Sequence, residues 1–261
     1  MLKSSQIAKT AKLISLATVY LFLYVPIIIL LVFSFNSEPF PAPWQKFTFK
    51  WYHELVDSFY LWKAFCTSLL VAFCSTAISL IMGIFLIFYA AQGGKIGRIF
   101  SLFYGSMVIP ETVLAVSLLS FFSWMEIQLG LTTLIVSHTV LGLGFVIPIV
   151  YARFLELDKK LTEASLVLGA TPNQTFFKVT LPMLAPSLIT SALLVFIISF
   201  DDFILSYFCA GSTTQTLSLY ILSMIRTGVT PVVNALSSLL LFLSSLLVLV
   251  FFQLKTRTRI F

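Results

Sequence analysis

The sequence predicts an all-α, polytopic membrane protein with six transmembrane helices, and three observations lead there. First, the composition is 59% hydrophobic and only 10% charged, with a mean hydropathy of +1.03. A soluble chain carries about 25% charged residues, so this one would present far too much apolar surface to water. Second, the apolar residues fall in continuous runs long enough to cross a hydrocarbon core of about 30 Å, which favours helices over a closed barrel. Third, the basic residues between the runs are segregated to one side.

Residues 1–12 are polar and carry Lys3, Lys9 and Lys12. The first span covers about 13–35. It exceeds the roughly 7–15-residue apolar core of a signal peptide and ends in Phe33, Ser34, Phe35 and Asn36, so it reads as an uncleaved helix. The loop over 36–62 holds Pro39, Pro41 and Pro43 and the aromatics Trp44, Trp51, Tyr52, Tyr60 and Trp62. Such rings favour the membrane surface, and 49–61 could form a short interfacial helix there.

The second span is expected over about 63–91 and the third over about 99–124. The turn between them has Gly93, Gly94 and Gly97, which permit a tight reversal and are followed by no phosphate-loop pattern. Pro110 and Glu111 interrupt the third span. The fourth, about 132–151, contains Gly142 and Gly144, read as points of close helix packing. A long polar connection, 153–186, follows. The fifth span is expected over about 187–209 and the sixth over about 231–254, with a short helix near 217–225 in the loop between them. The whole chain, 1–261, reads as a single transmembrane domain.

This register puts twelve basic residues on one side: Lys3, Lys9, Lys12, Lys95, Arg98, Arg153, Lys159, Lys160, Lys178, Lys255, Arg257 and Arg259. It puts four on the other: Lys46, Lys50, Lys63 and Arg226. Positive charge marks the cytoplasmic side, so both termini and the long connection are expected there. The net charge of +6 is explained by this bias without a nucleic-acid partner.

The sequence offers no catalytic constellation and no metal site. Cys66, Cys74 and Cys209 lie in apolar runs without ligand spacing and are expected to be packed and inert. His53 falls in an outer loop. His138 stands alone in an apolar helix, where a satisfied core histidine is the expectation over a ligand or proton relay. Acids inside apolar runs are costly and face a cavity or a partner. Glu111, Asp201 and Asp202 are three of these. Adjacent helical residues point about 100° apart, so one of Asp201 and Asp202 faces a pathway and the other pairs or caps a helix break. An organic polycation would take such carboxylates for its ammonium groups and aromatic rings such as Phe200, Phe203 and Tyr207 for its methylene spacers. Pairing between helices is the structural alternative.

Within the polar connection stands Glu163-Ala164-Ser165, three residues, Gly169, nine residues, then Val179, one residue, and Leu181-Pro182. It reads as a short helix with Thr162 placed to cap it, a stop at Gly169, and a second element entering the membrane. The pattern resembles the EAA coupling loop of the membrane subunits of bacterial ABC importers: Glu-Ala-Ala, three residues, Gly, nine residues, Ile, one residue, Leu-Pro. Ser165 replaces the second Ala and Val179 the Ile. The stretches 199–203 and 223–235 are similar to spermidine/putrescine importer permeases, and that likeness covers nearly the whole chain.

The resemblance implies a type I (MetI-like) permease fold and a permease subunit of a binding-protein-dependent importer for polyamines in the bacterial cytoplasmic (inner) membrane. It implies a second homologous permease, two ATPase subunits and a periplasmic binding protein as partners. ATP and Mg would be bound by the ATPase subunits, with no cofactor in this chain, which has no phosphate-cradling loop of its own. Glu163, Ala164, Ser165, Gly169, Leu181 and Pro182 would form the docking elbow. Glu163 would pair with a basic group on the ATPase or favour its own helix N-terminus. Arg226 and Asn234 would support an outer gate or meet the binding protein, a plain interfacial anchor being the alternative. Another small solute such as iron, sulfate or thiamine remains open, because a scaffold does not fix its substrate. An ion-driven secondary transporter would leave the Glu163 loop without a role, and an intramembrane enzyme would lack its paired catalytic residues.

Overall fold

The computed structural model describes residues 2–38, 42–227 and 231–257. Of the positions singled out above, Pro39, Pro41 and Arg259 lie outside them. The described residues are helical apart from connecting segments and one isolated antiparallel bridge between Asn36 and Phe47. The chain divides into two compact units, Met1–Phe59 with Ile221–Phe261, and Tyr60–Tyr220.

The first unit contains α1 (Leu2–Phe33), α2 (Lys50–Asp57) and α12 (Pro231–Arg257), with α12 packed on both others. The loop after α1 folds around Asn36, which is fully buried. Its Nδ2 donates to the carbonyls of Glu38 and Pro43 at 3.1 and 3.3 Å, and its Oδ1 accepts the Gln45 N–H at 3.0 Å. The Trp51 indole N–H donates to the Asn36 carbonyl at 2.7 Å. Phe35 stacks on Phe47 and Tyr52 beside this knot. The aromatics therefore organise a specific fold as well as suiting an interface. Asn36→Leu would strand two carbonyls and an amide at a cost of about 1–3 kcal/mol each. Limited proteolysis of the 42–49 segment is expected to accelerate about tenfold or more in that variant.

The second unit is built on α3 (Phe59–Ala91), α6 (Leu131–Leu155) and α9 (Leu181–Asp201). Between them in sequence lie α4 (Gly97–Ser106), α5 (Glu111–Trp124), α7 (Lys159–Val167) and α8 (Pro172–Thr175). A π turn, Phe176–Thr180, joins α8 to α9, and α10 (Ile204–Cys209) follows α9. The boundary between the units falls inside α11 (Leu217–Thr227).

The buried face of α3 reads Ala64, Ser68, Val71, Ala72, Ser75, Ser79, Gly83 and Ile87, a helical stripe of mostly small residues. Lipid tails are as apolar as leucine, so helices associate here by close approach and interhelical hydrogen bonds. Ser79 Oγ donates to the Thr139 carbonyl at 3.1 Å. A Cβ on Gly142 would lie 2.5 Å from Ser79 Oγ and 2.8 Å from Val195 Cγ1, so α3, α6 and α9 meet where Gly142 has no side chain. Gly142→Leu is expected to destabilise the purified complex by at least the 1–3 kcal/mol typical of overpacking, read as a lowered Tm. An unchanged Tm would contradict the packing. Ile87, Val146, Val150, Phe176, Leu184 and Val195 form one core. Val71, Phe122, Leu134, Cys209 and Ala210 form another.

Several boundaries differ from the sequence reading. The third expected span is two helices, α4 and α5, separated at 107–110. Pro110 supplies no amide and holds an extended ψ of 134° that starts α5. The fifth begins at Pro172 rather than near Ser187, giving an apolar helical run Pro172–Asp201. Pro182 and Pro186 mark no loop. Pro182 sits in the first turn of α9, and the wider π turn lies directly before it, where an ordinary α ladder would need its missing amide. The same span breaks at Asp202, whose ψ of 131° is extended, before α10 begins. Among the described residues four helices are long and apolar enough to cross a membrane: Lys12–Phe33, Phe59–Ala91, Leu131–Leu155 and Pro172–Asp201. Glu111–Trp124, Leu217–Arg226 and Pro231–Leu243 are shorter apolar stretches. Cys209 is buried as expected of a packed thiol, but Cys66 is exposed.

Candidate functional site

The elbow is a capped helix with a defined stop. Asp158, not Thr162, caps α7: its Oδ1 accepts the Lys160 N–H at 3.0 Å. Thr162 lies inside the helix and turns its hydroxyl back to the Lys159 carbonyl. At the other end Gly169 N–H reaches the Leu166 carbonyl and Ala170 N–H the Ser165 carbonyl, both the pairings of a Schellman stop. Gly169 has a φ of +89°, which explains the glycine at this spacing. The chain then enters α8 through a capping box. Thr171 N–H donates to Gln174 Oε1, and Gln174 N–H donates to Thr171 Oγ1.

Ser165 is bonded to Thr175 through their hydroxyls at 3.0 Å, so it fastens α7 to α8. Glu163, Ala164 and Gly169 are exposed, Leu181 is half-buried against the core, and Pro182 is exposed. Val167 and Leu168 are each 87% exposed, and Leu161 and Leu166 are exposed beside them. A cleft of about 440 Å³ opens between this elbow and the turn after α3, lined by Gly94, Tyr151, Phe154, Asp158, Glu163 and Phe176.

The intramembrane acids have separate fates. Asp201 is exposed and Asp202 is buried. The Asp202 carboxylate accepts the Leu205 N–H at 3.3 Å and the Ser206 N–H at 2.9 Å, satisfying the start of α10. Its carbonyl accepts the Ser218 hydroxyl at 2.7 Å. His138, also buried, presents Nε2 to Asp202 Oδ2 at 3.5 Å and Nδ1 to Ser199 Oγ at 2.7 Å. Ser199 in turn meets Ser75 Oγ at 3.1 Å. Glu111 stands at the start of α5, directly after Pro110.

Glu111 lines a cavity of about 250 Å³ whose other walls are Met107, Ile109, Leu114, Leu141, Gly144, Phe145 and Ile198. Phe200, Phe203 and Tyr207 are not among these walls. Phe200 packs on Phe65 and Phe196, and Phe203 packs on Tyr207. Arg226 is exposed in the last turn of α11, and Asn234 sits in the first turn of α12 with its carbonyl accepting the Ser238 hydroxyl.

The core histidine that the sequence leads one to expect at 138 is buried and bonded to Ser199, but the approach of its Nε2 to Asp202 is not foreseen. The local signal was present: Ser199 and Asp202 lie one turn apart, opposite a lone histidine in another apolar helix. What a single sequence does not supply is the pairing of the two helices.

With this geometry in place, comparison with known proteins is informative. The family described as the binding-protein-dependent transport system inner membrane component matches residues 76–258. The spermidine/putrescine transport system permease protein PotC of Escherichia coli (strain K12) is 37% identical over 238 residues, covering 90% of this chain and 89% of that protein. The PotC of Haemophilus influenzae is 36% identical over 243 residues, covering 92% and 93%. The putrescine permease PotI of Escherichia coli (strain K12) is 32% identical over 233 residues, covering 85% and 82%. Among solved structures, a chain of a bacterial ABC transporter for the acidic polysaccharide alginate has a TM-score of 0.72 at 15% identity, covering 97% of each chain. This last likeness is one of fold.

Proposed function

Since this chain belongs to the inner membrane components of binding-protein-dependent transport systems, we propose that it is a polyamine permease and forms half of the translocation pathway of an ABC importer. The observation that carries the cationic substrate is the Glu111 carboxyl on the wall of an otherwise apolar cavity. An ammonium group sits at the carboxyl, while Leu141, Phe145 and Ile198 receive the methylene chain. The named relatives, two of them spermidine/putrescine permeases and one a putrescine permease, support the same class.

The chain works in the bacterial inner membrane with both termini and the α7 elbow on the cytoplasmic side, as the basic-residue bias supports. It pairs with a second, homologous permease, two ATPase subunits and a periplasmic binding protein. ATP and Mg bind on the ATPase subunits, which supply the hydrolysis that this transport subunit does not perform. Val167 and Leu168 provide apolar contact to an ATPase groove, with Glu163 beside them. Asp201, exposed next to the break, meets substrate or the partner permease. Arg226 and Asn234 serve the outer gate or the binding-protein contact.

The test is reconstitution with the neighbouring subunits in proteoliposomes and measurement of ATP-dependent uptake of labelled spermidine and putrescine. Uptake of either supports the reading. Failure of both, together with ATPase stimulation by a binding protein loaded with iron, sulfate or thiamine, would replace the substrate class.

A further inference from the structure

Gly142 and Gly144 stand two residues apart in α6 and have different surroundings. Successive residues of a helix turn by about 100°, so the two face almost opposite ways. Gly142 has its reason in contact, since a Cβ there would lie 2.5 Å from Ser79 Oγ and 2.8 Å from Val195 Cγ1. Gly144 is also buried, but it lines the cavity of about 250 Å³ that holds Glu111. Leu141 and Phe145 of the same helix line that cavity too, and the three positions fall within about 100° of arc. A side chain at 144 would grow from the same wall and take its volume out of the cavity. Glycine inside a helix costs up to about 1 kcal/mol against alanine, so the bare position needs a reason, and the cavity supplies one.

The cavity has the make-up of a socket for one end of a molecule. Among the described residues, Glu111, half-buried in the first turn of α5, is the one charged group on its wall. An apolar cavity of about 150 Å³ is enough to take benzene. At roughly 30 Å³ for each water-sized group, 250 Å³ admits on the order of eight such groups, which is one ammonium and a short alkyl chain.

We infer that Gly144 sets the length of aliphatic amine that the Glu111 cavity admits. A primary ammonium pairs with the Glu111 carboxylate, and the methylenes behind it occupy the space that a side chain at 144 would fill. This rests on the reading of the Glu111 cavity as the place of a cationic substrate. The ligand class is a primary ammonium on an unbranched alkyl chain.

The test uses the assembled complex in proteoliposomes. Unbranched alkylamines from ethylamine to hexylamine are added as inhibitors of labelled polyamine uptake, with the matching alcohols as uncharged controls. Wild type is expected to be inhibited more strongly as the amine lengthens, and little by the alcohols. Gly144→Val is expected to weaken inhibition by hexylamine about tenfold while that by ethylamine stays within about twofold, with Gly144→Ala in between. Glu111→Gln is expected to weaken inhibition by every amine about tenfold. An unmoved length profile in Gly144→Val, beside a loss of all amines in Glu111→Gln, would overturn the role of Gly144 and leave the cavity reading standing. Amines that inhibit Glu111→Gln as they inhibit wild type, or alcohols that inhibit as well as amines, would sink the cavity reading and this proposal with it.

A second readout does not depend on the substrate. Gly142→Ala is expected to lower the Tm of the purified complex, because its Cβ has no room. Gly144→Ala is expected to leave the Tm unchanged or raise it. A Gly144→Ala complex destabilised as much as Gly142→Ala, or a Gly144→Val chain that fails to assemble, would overturn the proposal whatever the complex transports.

Discussion

Asp202→Asn is expected to lower polyamine uptake roughly ten- to a hundredfold. The carboxylate receives two backbone N–H groups, from Leu205 and Ser206, on separate oxygens. Asparagine keeps one acceptor oxygen and turns an NH2 toward the other amide, so the cap is half lost. Hydrogen bonds to charged groups contribute about 1.5–3 kcal/mol, and about 1.4 kcal/mol is tenfold in an equilibrium. Asp201→Asn, at an exposed position outside this network, is expected to have a smaller effect. Initial rates of labelled spermidine uptake, normalised to complex in the membrane, separate the two. Equal effects would mean that the burial of Asp202 does not distinguish it.

The paired substitution Val167→Asp with Leu168→Asp is expected to suppress ATP-driven uptake by a hundredfold or more. Both side chains are almost wholly exposed, so the permease does not need them for its own core. Burying a Val or Leu side chain against a partner contributes about 1.5–3 kcal/mol each. Placing two carboxylates there removes that gain and adds a desolvation cost. Membrane insertion and the Tm of the isolated permease should stay near wild type, while co-purification of the ATPase subunits falls. Normal uptake in this variant would exclude the elbow as the docking element.

The readable part of this molecule was the part specified locally. Continuous apolar runs announced the helices, and the spacing from Glu163 to Gly169 announced a helix with a stop, because Gly169 at φ +89° is a requirement of the backbone itself. The less readable features depend on other helices. No glycine or proline marks the break at Asp202. It is held by the carboxylate cap, by Ser218 and by the histidine across from it. The polar connection was carried as far as 186, yet a π turn and a continuing helix already accommodate Pro182 and Pro186. Thr162 looked like a cap because it precedes Glu163, yet Asp158 lies nearer the true helix start. Phe200, Phe203 and Tyr207 are not among the walls of the Glu111 cavity, and their direction depends on a kink that the pattern does not reveal.

The hydroxyl contact between Ser165 and Thr175 has a mechanical consequence. From Thr175 onward the helical run continues without a loop to Asp201, next to the buried carboxyl. At about 1.5 Å per residue this makes a rod on the order of 40 Å long, with the proposed ATPase contact at one end and the proposed substrate acids at the other. A stroke applied to the foot of such a rod arrives at its tip undamped by any slack hinge, so one displacement can both open a passage and loosen what it holds.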